Sequence, residues 1–140
     1  MNNPSFERVF NIRFSHCDPS GTVFFGQYMA LFNDLIEAWF DEELGILYAH
    51  MLGTRRIGLP TAHLECDFKA IGRMGDALPF GLAVERLGTK SLTLNLRVGP
   101  ATQPRVTMRQ VLVFSSLQTH TSIAIPQDIR DALEKFMSGH

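Results

Sequence analysis

One stretch of this chain keeps a helical repeat over several turns, and nearly everything after it alternates like strand, a combination that few folds accommodate. From Tyr28 to Phe40, the apolar residues Tyr28, Met29, Leu31, Phe32, Leu35, Ile36, Trp39 and Phe40 recur every three or four positions. Asp34, Glu37 and Asp41 share the opposite face, so the stripe predicts one long amphipathic helix. Gly45 is its natural stop. Asp41, Glu42 and Glu43 crowd its carboxyl end, where the helix macrodipole disfavours negative charge, and Arg55 and Arg56 are candidate compensating partners.

Strand patterns bracket that helix. Phe6, Phe10, Ile12 and Phe14 fall on one side and Glu7, Asn11, Arg13 and Ser15 on the other, which predicts a half-buried strand from Phe6 to Ser15. Beyond Gly53 four more runs follow. The first sets Ala62, Leu64, Cys66 and Phe68 against Thr61, His63, Glu65 and Asp67, and the second aligns Leu78, Phe80, Leu82 and Val84. The third aligns Leu92, Leu94, Leu96 and Val98, and the fourth sets Met108, Leu112 and Phe114 beside Val106 and Gln110. Gly88-Thr89 and Gly99-Pro100 are short enough for hairpin connections. Ile129, Leu133 and Phe136 predict a short closing helix from Pro126, at its first position, to Met137. One leading strand, one long helix and a meander of about four strands cannot form a βαβ array. The expectation is an α+β fold, a single domain over residues 1–140, with the helix laid across one antiparallel sheet.

Charge and motif content remove several function classes. Thirteen basic against fourteen acidic side chains give a net charge of -1, without the basicity of a nucleic-acid binder. The charge is split internally: residues 1–50 carry two basic and seven acidic side chains, and residues 51–109 carry nine basic and four acidic. The opening MNNPSFERVF has no basic leader region or long apolar run, which predicts a cytoplasmic protein with no membrane partner. Cys17 and Cys66 stand alone, without metal or redox spacing, and His16, His50, His63, His120 and His140 are scattered. No metal and no cofactor is expected. Gly88-Thr89-Lys90-Ser91 lacks the first glycine of a phosphate loop, and no PCxxC follows His63-Leu64-Glu65.

What remains is Asp18. In Asp18-Pro19-Ser20-Gly21, Pro19 presets φ for the second turn position and Gly21 suits the fourth, so the chain turns sharply after Asp18 and enters the long helix. A helix amino terminus offers backbone N–H groups that can hold an oxyanion, with a carboxylate beside it for nucleophilic or general-base work. The alternative is that Asp18 only caps its turn. Cys17 is a further candidate nucleophile, but no sequence feature marks a base for it.

The segment Arg13-Phe14-Ser15-His16-Cys17-Asp18-Pro19-Ser20-Gly21-Thr22-Val23-Phe24-Phe25-Gly26-Gln27-Tyr28 resembles the signature of the 4-hydroxybenzoyl-CoA thioesterase family of hotdog-fold proteins. That signature has an acidic residue, a glycine, a short aromatic stretch and a tyrosine opening the central helix, with an acidic or amide residue further on, here Asn33. The order of elements along nearly the whole chain fits the same fold. The resemblance implies an acyl-CoA thioesterase in which Asp18 is the catalytic carboxylate and the backbone N–H near Phe25 and Gly26 the oxyanion donor. It implies substrate contacts from Tyr28 and Asn33, and Lys90 and Ser91 facing the CoA nucleotide. It also implies active sites between subunits, hence a homodimer or a homotetramer built from dimers. His16 stands where relatives often have a second acidic residue, and Phe25 where some place Tyr or His. The eleven phenylalanines, Phe24, Phe25 and Phe32 among them, suit an aromatic or short-to-medium apolar acyl group. The non-enzymatic alternative is a module that binds acyl-CoA or an acyl carrier without turnover. A dehydratase is disfavoured, because no histidine follows Asp18 until His50 and Glu37 falls on the polar helix face.

Overall fold

The computed structural model describes residues 4–139; Met1 and His140, which entered the leader and metal readings, lie outside them. Five strands, β1 (Ser5–Asn11), β3 (Thr61–Phe68), β4 (Ala77–Leu87), β5 (Ser91–Val98) and β6 (Val106–Val113), form one antiparallel sheet in the order β1-β4-β5-β6-β3. The long helix α1 (Phe25–Ala38) lies across its inner face. This is the hotdog arrangement. Three short elements escaped the sequence patterns: α2 (Tyr48–Gly53), and the two-residue strands β2 (Ile57–Gly58) and β7 (Ser115–Ser116), which pair with each other. The closing helix α3 (Gln127–Met137) begins one residue later than expected, with Pro126 as its N-cap.

The core follows the two predicted periodicities. Leu31, Phe32, Leu35, Ile36, Trp39 and Phe40 from the helix meet Phe80, Leu82, Leu94, Leu96, Val106 and Met108 from the sheet, all buried. The helix does not end as an α-helix, however. From Trp39 to Leu44 it widens into a π-helical turn and stops at Gly45 in the left-handed region (φ 72). The acidic cluster on that turn is balanced by neighbours other than Arg55 and Arg56. Asp41 accepts the Tyr48 N–H at 2.8 Å, and Glu42 pairs with Arg8 of β1 at 2.5 Å. Arg55 instead binds Asp128 of α3 through both guanidinium nitrogens (2.8 and 2.9 Å).

Two strand readings need correction. The first strand stops at Asn11, where Gly75 and Asp76 take over the backbone of Ile12, and Phe14–His16 form a single 3-10 turn. His16 Nδ1 accepts the Arg13 N–H at 2.9 Å and closes that turn, leaving Phe14 exposed rather than on a strand face. In β3 the register with β6 shifts between Thr61 and His63. That irregularity brings Thr61 beside Gln110, whose Nε2 donates to Thr61 Oγ1 at 2.8 Å, so Thr61 leaves the polar face of His63, Glu65 and Asp67.

Candidate active site

The turn forms as the sequence predicts, and its bonds fix the carboxylate. Gly21, at φ 82, occupies the left-handed region that a side chain would strain, and its N–H donates to Asp18 O at 3.0 Å. Asp18 donates its own N–H to Thr22 O at 3.0 Å, and Cys17 bridges Val23, so residues 17–23 fold into a tight hairpin. Ser20 donates both its N–H, at 2.9 Å, and its hydroxyl to Asp18 Oδ1. The hydroxyl bond, and after it the amide bond, hold the Asp18 carboxyl below the usual carboxylate range. Asp18 therefore caps its turn and is an anion at neutral pH.

The far arm of this hairpin runs straight into α1. Phe24 is the helix N-cap (φ -70, ψ 128) and provides no capping side chain. Its N–H is taken by His16 O at 3.0 Å, while Gln27 donates to Phe24 O at 2.8 Å. Between them, the N–H groups of Phe25 and Gly26 find no acceptor among the described residues. Natural helices usually satisfy such groups with a Ser, Thr, Asp or Asn cap. Here two donors at the positive end of a long helix stay free, a few residues after the hairpin that carries the anionic Asp18, and free donors of this kind can receive a developing oxyanion.

Aromatic rings wall the same end. The Phe24 and Phe25 centroids are 4.8 Å apart, Phe25 meets Phe68 edge to face at 6.3 Å, and Tyr28 lies 5.9 Å from Phe68. Phe25 is 62% exposed and Phe68 50%, which is far from the usual fate of such side chains. Between them runs a groove of 280 Å³, with Ile71 and Gly72 on its other bank. Tyr28 is 3% exposed and serves as wall and floor. Burial raises the pKa of its phenol. Gly72 must lack a side chain, because a Cβ there would come within 2.6 Å of the Tyr28 hydroxyl. Phe68, Ile71 and Gly72 were not legible as site residues: they reach the helix only through the pairing of β3 with β6 and through the Val23 N–H to Gly72 O bond at 2.9 Å.

The other expected residues do not assemble here within one chain. Asn33 is exposed, two turns along α1. Lys90 and Ser91 open β5 at the opposite end of the sheet, where Lys90 O accepts the Phe114 N–H and Ser91 pairs with Val113. Phe68 pairs with Val106, which in turn pairs with Val98 at the end of β5, so the length of that strand, about 23 Å, separates the two sets. Near Lys90, Arg86 and Arg130 line a second groove with Gly88, and Arg130 donates to Gly88 O. Cys17 spends its thiol on Arg13 O at 3.4 Å, and Glu37 is exposed. Among the described residues no cluster of three His, Cys, Asp or Glu could hold a metal ion, and no helix is long and apolar enough to cross a membrane.

Comparison with known proteins matches residues 12–133 to the model of the thioesterase-like superfamily. The chain belongs to that superfamily, a family of thioester hydrolases. A 1,4-dihydroxy-2-naphthoyl-CoA hydrolase of Synechococcus elongatus is 28% identical over 135 residues, covering 96% of this chain and 97% of the relative. Among solved structures, a 1,4-dihydroxy-2-naphthoyl-CoA thioesterase from Synechocystis superposes with a TM-score of 0.81 at 20% identity, covering 92% of this chain and 95% of that one. A gentisyl-coenzyme A thioesterase superposes at 0.80 with 22% identity, covering 91% and 99%. A Staphylococcus aureus protein solved in complex with CoA superposes at 0.84 with 16% identity, covering 99% and 87%. At these identities the structures establish the shared fold, and the thioesterase family adds the chemistry against which the site is judged.

Proposed function

We propose that this member of the thioesterase-like superfamily hydrolyses the thioester of an aromatic acyl-CoA, with Asp18 as the catalytic carboxylate. The observation that carries the reading is the pair of uncapped N–H groups of Phe25 and Gly26, at the start of a helix entered directly from the hairpin that holds the anionic Asp18, with Thr22 of that hairpin and Phe25 both lining an aromatic groove. The carboxylate attacks the thioester carbon or takes the proton of an attacking water. In both routes negative charge gathers on the carbonyl oxygen, and donors already oriented by the helix stabilise it without reorganising. In the first route CoA leaves as the thiolate and water then cleaves the Asp18 acyl anhydride, its proton ending on CoA; in the second, the proton that Asp18 takes from water passes to the leaving sulfur, so both routes give the acid and the CoA thiol. Phe24, Phe25, Tyr28 and Phe68 favour a flat ring over a flexible chain, and the curated relatives are named for hydroxylated aryl thioesters.

The groove is small for a ligand site and lies open toward β3, as half of a site would. β3 is an edge strand with nearly every residue exposed on both faces. Pairing it antiparallel with the same strand of a second copy sets the Thr61 end of one chain beside the Phe68 end of the other. In such a homodimer, the partner's Lys90 and Ser91, with its Arg86 and Arg130, lie toward the first chain's Asp18 and meet the phosphates of CoA.

The test is thiol release from 1,4-dihydroxy-2-naphthoyl-CoA, gentisyl-CoA, benzoyl-CoA and straight-chain acyl-CoAs, on wild type and Asp18→Asn. Aryl thioesters should turn over fastest and the variant should bind without turnover. A preference for aliphatic chains would overturn the substrate class. Binding by wild type with no hydrolysis across the panel would leave an acyl-CoA binding module.

A further inference from the structure

Gln110 is polar at a core position of its strand. Along β6, Val106, Met108, Gln110 and Leu112 turn to the inner, helix-side face and are buried, Gln110 at 5% exposed. Its Nε2 donates to Thr61 Oγ1 at 2.8 Å, but its Oε1 is buried without a partner. A buried carbonyl oxygen is normally bonded, because otherwise it gives up its water for nothing in return. Trp39 Nε1, also unpaired, belongs to a fully buried ring packed on Phe40 and Phe136.

Gln110 differs from that indole in lying one strand in from an open face. It pairs with Leu64 of β3, which is 43% exposed, and Thr61 is exposed as well. Leu64, Cys66 and Phe68 alternate onto the same inner face, opposite Gln110, Met108 and Val106. None of the residues of β3 is buried, so α1 leaves this face uncovered. Phe68 is already a wall of the aromatic groove. An acyl group that enters past Phe68 therefore meets an apolar track along β3, which ends four residues on at Leu64 and the Gln110–Thr61 pair. A fused two-ring acyl group extends furthest along it.

The chemistry of the amide narrows what the track would take. Gln110 can turn its amide end for end and keep the Thr61 bond, because a threonine hydroxyl donates as well as accepts. Either way one polar atom, Oε1 or Nε2, is left over. A hydroxyl satisfies both, donating to the oxygen or accepting from the nitrogen, whereas an ether or a carboxylate only accepts. The neighbours of Gln110 on this face, Leu64, Leu94, Met108 and Leu112, carry no charge, so an ionised substituent would be buried unpaired. We propose that Gln110, anchored by Thr61, selects thioesters whose aryl group carries a neutral ring hydroxyl, an assignment that rests on the thioesterase reading above.

Thiol release from 1,4-dihydroxy-2-naphthoyl-CoA and from 2-naphthoyl-CoA tests this on wild type and Gln110→Met, which keeps the length of the side chain and removes both polar atoms. The variant should lose about tenfold in kcat/KM for the hydroxylated thioester relative to the unsubstituted one, through KM. It should melt no lower than wild type, because the unpaired oxygen is removed together with the Thr61 bond and the exposed Thr61 hydroxyl can turn to water. Gln110→Leu provides a second apolar replacement if the first does not fold. An equal loss on both thioesters, or an unchanged ratio with a lowered melting temperature, would make Gln110 a packing residue and leave thioester hydrolysis standing. If wild type hydrolyses neither, the thioesterase reading fails on these substrates, and calorimetric titration with the two free naphthoic acids reads the selection without turnover. Binding weakened about tenfold for the hydroxylated acid alone is then the expected result, and equal binding by variant and wild type would overturn the assignment.

Discussion

Asp18 is where local sequence chemistry and candidate function coincide. Its turn was legible because every part of it lies within four residues: Pro19 sets φ, Gly21 takes the left-handed position, and Ser20 bonds the carboxylate. Asn retains a side-chain carbonyl for the Ser20 bonds, so Asp18→Asn should keep the melting temperature while lowering kcat by about 10² to 10⁴. The pH profile carries a second prediction. The Ser20 hydroxyl is the largest cause of the lowered Asp18 pKa, so the acid limb of kcat/KM should fall below the ordinary carboxylate range. Ser20→Ala should move that limb upward, towards the ordinary carboxylate range. The sign is fixed, since removing a donor to the anion makes protonation easier. The oxyanion donors can be probed as directly. Phe25 is the first helical residue, a position that tolerates proline, and Phe24 already has the extended backbone that proline requires before it. Phe25→Pro should therefore fold, delete one N–H, and lose about 10² to 10³ in kcat. Phe25→Ala keeps the amide and should retain most of kcat while raising KM for aryl substrates. Equal kcat for the two variants would remove this amide from the mechanism.

At the level of elements, periodicity located every long one and missed the departures from it. The Tyr28–Phe40 stripe gave α1, but nothing in Trp39-Phe40-Asp41-Glu42-Glu43-Leu44 announces a π-helical turn, because its acidic residues are satisfied by Arg8 and Tyr48, distant in sequence. The irregularity that rotates Thr61 inward is equally silent, since strict alternation reads the same with or without it. Two of the interactions that hold α3 differ in magnitude. Ile129, Leu133 and Phe136 are buried, Phe136 against Trp39 at 5.3 Å between ring centroids. The Arg55–Asp128 pair is bidentate, but Asp128 is more than half exposed. Leu133→Ala should cost about 2–5 kcal/mol in urea unfolding, and Asp128→Asn under about 1 kcal/mol. The Arg55 guanidinium holds the Asp128 carboxyl below its ordinary range, so its small contribution is present above about pH 4 and fades as pH falls through the carboxylate range. An Asp128→Asn effect larger than that of Leu133→Ala would mean that the ion pair, and not the apolar face, docks this helix.

At the scale of the whole molecule, the proposed dimer would bring together what a single chain keeps apart. Strand order was open to inference only as a meander; that β1 and β3 occupy the two edges, and that Lys90 lies a strand's length from Asp18, follows from pairings no local pattern encodes. A site whose carboxylate and phosphate-binding residues come from different subunits makes a prediction that a single-chain site does not. Asp18→Asn should abolish turnover, and Arg86→Glu/Lys90→Glu should remove it at low substrate by repelling the CoA phosphates. If the two variants are mixed under conditions that exchange subunits, each mixed dimer concentrates both lesions in one site and leaves the other intact. Half the dimers are then half active, and about a quarter of wild-type activity should return. A site built within one chain leaves every Asp18 site damaged in one way or the other, and mixing restores nothing. Thiol release at low acyl-CoA, measured before and after exchange, separates the two, with sedimentation confirming that mixed dimers have formed. Recovery would also require the two grooves to lie within reach of one CoA, which antiparallel pairing of β3 provides and pairing through the β1 edge does not, because Phe68, Gly72 and the groove lie at the β3 edge.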